Sequence, residues 1–273
     1  MYSQRFYADL FSGYAYSLRE NTVDIKDFFK IVSNDKKIKK IFYNVNHRDF
    51  FYELQQTIDR ALYSMAVYGK AYLYVKPEYV KIESEGGKVN KELCALTIKE
   101  VKGMLKKGIF YYKTYSNTVS KFDIGDGVLI ILDLKELGYK RNYFSCLVRK
   151  IGKYDILSIS YQLLNKEPSY DFNVHVKRNQ KRFLKNISNI GWRFGTDDLS
   201  DSYILYKEIK MKLFKIKILQ YVLGKINKAL VENYINDSTF EIKAATKNVD
   251  YKEVWEKYQE GKFTISDLNK ILW

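Results

Sequence analysis

The side chains in this 273-residue chain that are best placed to do chemistry together are five basic residues in the segment VKRNQKRFLK. On a helix they would fall on one face, because residues three, four and seven positions apart lie near one another. Such a face can contact the phosphates of DNA or RNA, or it can be an ordinary solvated helix surface. We therefore treat as a candidate nucleic-acid interface Lys177, Arg178, Lys181, Arg182 and Lys185.

The overall charge fits an anionic partner but does not require one. The net charge is +15 at pH 7, and phosphate neutralisation supplies most of the sequence-independent affinity for nucleic acid. However, only nine of the 47 basic residues are arginine, whose planar guanidinium matches phosphates and guanine edges best. The chain is also rich in Ile, Asn and Tyr, so a biased coding composition would explain much of the lysine content equally well.

No set of residues has the spacing of a known catalytic or metal-binding motif. The histidines, His47 and His175, lie outside recognisable nucleophile motifs, and the sequence contains no P-loop, HExxH or CxxC pattern. The carboxylates Asp123, Asp126 and Asp133 follow turn positions, and the downstream glutamate of a calcium loop is missing. We expect a protein that is not an enzyme, with no catalytic residue, no metal and no cofactor.

The cysteines and the apolar runs indicate a compartment. Cys94 and Cys146 are too few for a disulfide framework, which favours a reducing compartment such as the cytoplasm. The N-terminal segment has aromatic and charged residues where a secretory signal would be unbroken and apolar. The longest aliphatic run, at 128–132, has five residues, against about 20 for a membrane-spanning helix. The sequence predicts neither export nor a membrane partner.

The elements that would position these residues form an α+β pattern. Helical segments flank a central region of short antiparallel strands, and a long amphipathic helix lies near the C-terminus. The pattern divides the chain into a helical region at 1–70, a β-rich region at 71–134 and a second helical region at 135–273. It also predicts helical pieces between 5 and 42 and a short helix at 97–107.

The most distinctive local pattern is a helix that runs through a single glycine into an alternating strand. Apolar residues recur at helical spacing from Leu54 to Met65, and Gly69 can take the left-handed conformation that ends a helix. After the glycine, the apolar residues Ala71, Leu73 and Val75 alternate with Tyr72, Tyr74 and Lys76. The sequence therefore predicts a helix-to-strand junction at Gly69.

A second pattern is the length of the helix predicted from 198 to 234. Its apolar residues recur at intervals of three and four and form a wide stripe, while the lysines fall largely off that stripe. A helix of about 35 residues is well above the ordinary mean, so we expect the stripe to be buried against neighbouring helices or other subunits. The stripe residues that we assign to structure and assembly are Leu213, Leu219 and Leu223.

The order of these features resembles that in the portal proteins of tailed bacteriophages. The junction with Gly69 and Tyr72 is similar to the one near the start of the portal wing, although Lys70 stands where portals often have Asn. The segment KFDIGDGVLIILDL resembles the strand before the portal stem, and the long helix resembles the one that leads toward the tunnel and crown. The C-terminal segment YQEGKFTISDLNKILW is similar to a portal signature through Gly261 and Thr264.

This resemblance implies a divergent, compact portal protein. Its copies would form a homo-oligomeric ring at a capsid vertex, through which double-stranded DNA is packaged and ejected. The 71–134 region would be wing-like, and 135–273 would be stem-like and crown-like. Further partners would be terminase, capsid and head–tail adaptor proteins, and the location would be the virion after synthesis in the host cytoplasm. The alternative is a non-enzymatic nucleic-acid-binding protein of a phage or mobile element that uses the basic helix face.

Overall fold

The structure is a computed structural model of an α+β protein with antiparallel sheets and a long helix near the C-terminus, as the sequence predicts. It describes residues 2–11, 28–43, 50–83, 89–106, 109–113, 119–122, 124–153, 178, 181, 185, 187, 190–192, 201–244, 250–264 and 266–268. Helices α1 to α6 are Tyr2–Phe11, Lys36–Tyr43, Phe50–Tyr68, Tyr143–Lys153, Asp201–Asn233 and Tyr251–Gln259. Strands β1 to β8 are Phe29–Val32, Lys70–Glu83, Val89–Val101, Met104–Lys106, Ile109–Lys113, Val119–Phe122, Val128–Asp133 and Glu241–Ala244.

The strands in the described part of the chain form three antiparallel sheets. Their orders are β3-β2-β7, β4-β5-β6 and β1-β8. In the first sheet, the beginning of β2 pairs with β7 from Lys70 opposite Asp133 to Val75 opposite Val128. Beyond Val75, β2 continues as far as Glu83 in pairing with β3. The start of β2 is therefore the central strand of its sheet.

The chain folds into two compact units, and each unit is assembled from segments that are distant in sequence. Unit 1 consists of Met1–Phe11, Asn142–Lys217 and Asn248–Trp273, and unit 2 consists of Ser12–Arg141 and Ile218–Lys247. All of the described strands belong to unit 2, and the described elements of unit 1 are helices. The long helix α5 contributes to both units, since its residues up to Lys217 belong to unit 1 and those from Ile218 belong to unit 2.

The core of unit 2 forms where α3 lies on the first sheet. The face of α3 that carries Leu54, Ile58 and Met65 is buried, and so is the strand face that carries Leu73 and Val75. The spacing of three and four on the helix and of two on the strand places these residues on single faces, as predicted. Burial of such side chains contributes roughly 1.5–3 kcal/mol each.

Two short elements differ from their sequence-based predictions. The helix predicted at 97–107 is wrong, because β3 runs to Val101 and β4 begins at Met104. Residues Ala95 to Ile98 are all buried in pairing with β2, and such a short apolar run has no period that distinguishes a strand from a helix. Likewise, Phe29–Val32 is a strand within a segment predicted as helical, since it pairs with β8 far along the chain.

Unit 1 contains a cluster of buried aromatic rings. The rings of Phe11 and Phe144 meet edge to face with centroids 4.8 Å apart, and those of Phe6 and Trp192 do so at 5.0 Å. The buried Trp192 also donates from Nε1 to Asp9 Oδ2 at 3.0 Å, which satisfies its polar atom.

Among the described residues, no helix combines the length and the apolar character that a membrane span requires.

Candidate nucleic-acid interface

Three residues of the predicted basic face, at positions 178, 181 and 185, lie among those that the structure describes. Arg178, Lys181 and Lys185 are helical and exposed, and at 100° per residue they lie within about 60° of one another. Ile187 is also helical and 0% exposed, and at the same spacing per residue it falls on the opposite side. Lys177 and Arg182 lie outside the described residues. Three of the five predicted cations therefore share one exposed face.

The predicted junction at Gly69 is confirmed in its backbone geometry. Gly69 has φ +77°, and its N–H donates to Met65 O at 2.8 Å, which closes the last turn of α3. Its own carbonyl accepts from Leu134 N at 3.1 Å. A Cβ at this position would overlap the carbonyl oxygen of Arg141. Glycine is therefore required here both for the left-handed conformation and for the close approach of another chain segment.

Tyr72, three residues into β2, connects this sheet to β5. Its ring is half-buried and meets Phe110 edge to face, with centroids 5.1 Å apart. In register it lies between Val101 of β3 and Ile131 of β7. Tyr72 also lines a cleft beside the junction, together with residues of α3 and β3. Tyr72 thus packs between the first sheet and β5, and its assignment to structure and assembly stays a prediction.

Asp133, at the end of β7, is the centre of a polar network that the sequence did not reveal. Its side chain is largely buried and accepts from Arg141 Nη2 at 3.1 Å and from the Lys135 N–H at 3.0 Å, and Lys70 Nζ lies 3.3 Å away. Burial alone would raise the pKa of Asp133, but these hydrogen bonds outweigh burial and hold the pKa below its usual value. Asp133 is therefore charged at neutral pH and fixes two cations.

The backbone of the same residue is bound by the long helix. The Asp133 N–H donates to Tyr221 Oη at 3.0 Å, and the Tyr221 hydroxyl lies 3.3 Å from the Asp133 carbonyl oxygen. Burial is the main cause that raises the pKa of Tyr221 to about 12, so this phenol stays protonated. Nearby, Lys225 pairs with Glu136 at 2.6 Å. These contacts attach the second half of α5 to the end of β7 within unit 2.

The leucines assigned to structure and assembly are covered within the chain to different extents. Leu219 and Leu223 are 1% and 5% exposed. Leu213 is partly buried and packs against a cluster formed by Leu205, Ile209, Val254 and Leu268 in unit 1. The stripe therefore contributes to the interior of this chain, and it presents no exposed leucine at 219 or 223 to a second copy.

The C-terminal segment with Gly261 and Thr264 forms a turn between two helical pieces. Gly261 has φ +73°, and its N–H donates to Tyr258 O at 3.0 Å just after α6. Three residues later, the Thr264 hydroxyl donates from Oγ1 to Asp267 Oδ2 at 2.6 Å, and the Thr264 N–H donates to the same oxygen at 2.9 Å. Asp267 N returns a bond to Thr264 Oγ1 at 3.2 Å. This reciprocal arrangement is a capping box at the start of a helical turn.

The carboxylates considered as metal ligands are engaged separately. Asp126 Oδ2 lies 4.0 Å from Lys91 Nζ, and Asp133 forms ion pairs with Lys70 and Arg141. Asp123 lies outside the described residues. In the part of the chain that the structure describes, no three His, Cys, Asp or Glu side chains come together as a metal site. These contacts give each of the two described aspartates a structural explanation.

Comparisons with known proteins do not assign a family. A scan against models of protein families finds no match. A search of curated proteins likewise finds no significant relative. The function is therefore inferred from the residues and from their geometry.

Proposed function

We propose that this protein is a divergent, compact portal-like subunit that assembles into a ring through which double-stranded DNA passes into and out of a phage capsid. The observation that carries the proposal is the order of three elements along the chain. A helix ends at Gly69 and enters a strand, a 33-residue helix follows later, and a C-terminal helix ends at Gly261 before the Thr264 capping box.

The proposed mechanism is geometric and not catalytic. A ring repeats every exposed lysine around its axis, and each subunit carries a net charge of +15. Cations distributed in this way attract the phosphate backbone without reading bases, so a duplex can be held and still slide. In this proposal the subunit requires no cofactor, and terminase, capsid and adaptor proteins would contact the ring in the virion.

A second candidate function is a self-contained nucleic-acid-binding protein. It is favoured by one observation, the exposed face formed by Arg178, Lys181 and Lys185 opposite the buried Ile187. A monomer or dimer could bind phosphates with this face alone. The two functions differ in whether the protein forms a ring.

Negative-stain electron microscopy of the purified protein, with and without duplex DNA, distinguishes the two. A ring with a central hole is the result expected for the portal-like function. A compact particle that binds DNA would support the second function. A compact particle that binds neither duplex nor single-stranded DNA would overturn both.

A further inference from the structure

A cleft of about 340 Å³ opens beside the junction between α3 and β2. Its lining combines the cations Lys70, Lys102 and Arg141 with the rings of Tyr68 and Tyr72. This volume is at the lower end of the range for small-molecule sites. We propose that the cleft binds a nucleoside phosphate, with the phosphate on the three cations and the base stacked on Tyr68.

Two of the cations are held in place from behind. Arg141 and Lys70 both reach Asp133 Oδ2, at 3.1 and 3.3 Å, so one buried carboxylate fixes their positions. About half of the Arg141 side chain remains exposed, and the described contact with Asp133 uses one of its five N–H donors. The remaining donors can reach an anion in the cleft, which would share cations that are already oriented.

The third cation is placed by the turn between β3 and β4. Lys102 is exposed, and it precedes Gly103, at which a Cβ would overlap the Tyr111 carbonyl oxygen and press on the Phe110 ring. The absence of a side chain lets this turn lie close to β5, which sets Lys102 at the edge of the cleft. The position of Lys102 therefore depends on the close approach of the Gly103 backbone to β5.

The charges around the cleft leave a positive balance. Glu100 also lines it, and its Oε1 accepts from Ser64 Oγ at 2.7 Å, while Asp133 lies behind the other cations. Three cations against these two carboxylates give a local charge of +1. A phosphate monoester or diester suits this balance, because its oxygens accept several hydrogen bonds from Arg and Lys.

The aromatic part of the proposal depends on Tyr68. Tyr68 is 73% exposed and lies in the last turn of α3, next to the cations. An exposed ring beside a phosphate site can stack a nucleobase, and such stacking is sequence-tolerant. In duplex DNA the bases are stacked inside, so the ligand must be a free nucleotide or a single-stranded segment.

Fluorescence anisotropy with two probes tests the site and distinguishes these sources. One probe is N-methylanthraniloyl-ADP, and the other is a fluorescein-labelled oligothymidylate of six nucleotides. We expect at least one to bind, and we expect Lys102→Gln and Tyr68→Ala each to weaken that binding by about tenfold, the effect of losing one charged hydrogen bond or one stacking contact. Binding of ADP alone identifies a nucleotide site, and binding of the oligonucleotide identifies a single-strand site.

Two matched variants serve as controls. Lys99→Gln removes an exposed lysine from β3, and Tyr63→Ala removes an exposed ring from α3, and neither residue lines the cleft. Both should bind the probes as the parent protein does. The proposal is overturned if neither probe binds at millimolar concentration, or if the controls lose as much affinity as Lys102→Gln and Tyr68→Ala. A protein that forms rings but binds neither probe would overturn this inference and leave the proposed function intact.

Discussion

Lys207 lies within α5 with its side chain fully buried, which is an unfavourable position for a charged amine. Its Nζ has no hydrogen-bond partner among the residues described, and it lies 5.2 Å from the ring centroid of Tyr203. Burial first, and then repulsion from Lys210, lower the pKa of Lys207 to about 8 from 10.5. Below pH 8 the folded protein therefore holds a charge that the unfolded chain accommodates more easily.

The substitution Lys207→Met should raise the melting temperature at pH 7 by several degrees. Methionine has an uncharged side chain of roughly similar length, so this change removes a destabilising buried charge. Between about pH 8 and 10.5 the unfolded chain binds more protons than the folded one, so Lys207 makes the stability of the parent protein rise with pH. The difference in unfolding free energy between parent and Lys207→Met should therefore shrink across this window. The exposed Lys217 on the same helix provides the control, since Lys217→Met removes no buried charge and should leave the melting temperature at pH 7 nearly unchanged.

Gly69 is a second residue whose environment decides its identity. Gly69→Val should lower the free energy of unfolding by more than about 2 kcal/mol, because a β-branched residue is strained at φ +77° and would collide with Arg141. Gly224 is the matched control, since it lies in α5 with open space around it. Gly224→Ala should instead stabilise by about 1 kcal/mol. Equal urea midpoints for Gly69→Val and the parent would contradict the assigned junction.

At the scale of elements, a structural feature could be predicted from the sequence when the residues that form it lie close together along the chain. The junction at Gly69 and the capping box at Thr264 were predictable, because each is specified by residues within one or two turns. The pairing of β1 with β8 was not, since two strands of four residues give too little pattern to identify a partner about 200 residues away. Asp133 was read as a turn residue, because its cations Lys70 and Arg141 come from separate segments.

The basic face is the element whose function can be measured directly. Replacing Arg178, Lys181 and Lys185 together by Gln should weaken duplex binding and reduce the slope of log affinity against log salt by up to about 2.7, or 0.9 for each lost phosphate contact. The charge-matched control replaces the exposed lysines of α2, Lys36→Gln, Lys37→Gln and Lys40→Gln. Equal slopes for the two triple variants would assign the 178–185 face to ordinary solvation.

At the scale of the whole molecule, the net charge of +15 opposes self-association. In the proposed ring, identical subunits would meet through heterologous contacts, and each subunit, with its charge of +15, would approach two others of the same charge. Buried positions such as Leu219 cannot supply that contact without unfolding, so it must use surface that is exposed in the single chain. The contact must therefore overcome like-charge repulsion over distances comparable to the screening length.

Assembly should consequently be promoted by salt and by DNA. We expect sedimentation velocity to show mainly small species at about 0.05 M salt, where screening is weak, and a larger closed species at about 0.5 M, where the screening length falls below about 5 Å. Duplex DNA at low salt should have the same effect, because its phosphates neutralise the lysines that oppose association. A chloride and a sulfate salt at equal ionic strength would separate screening from stronger apolar association, since sulfate favours burial further. A protein that stays monomeric at every salt and protein concentration, with and without duplex DNA, would rule out the ring.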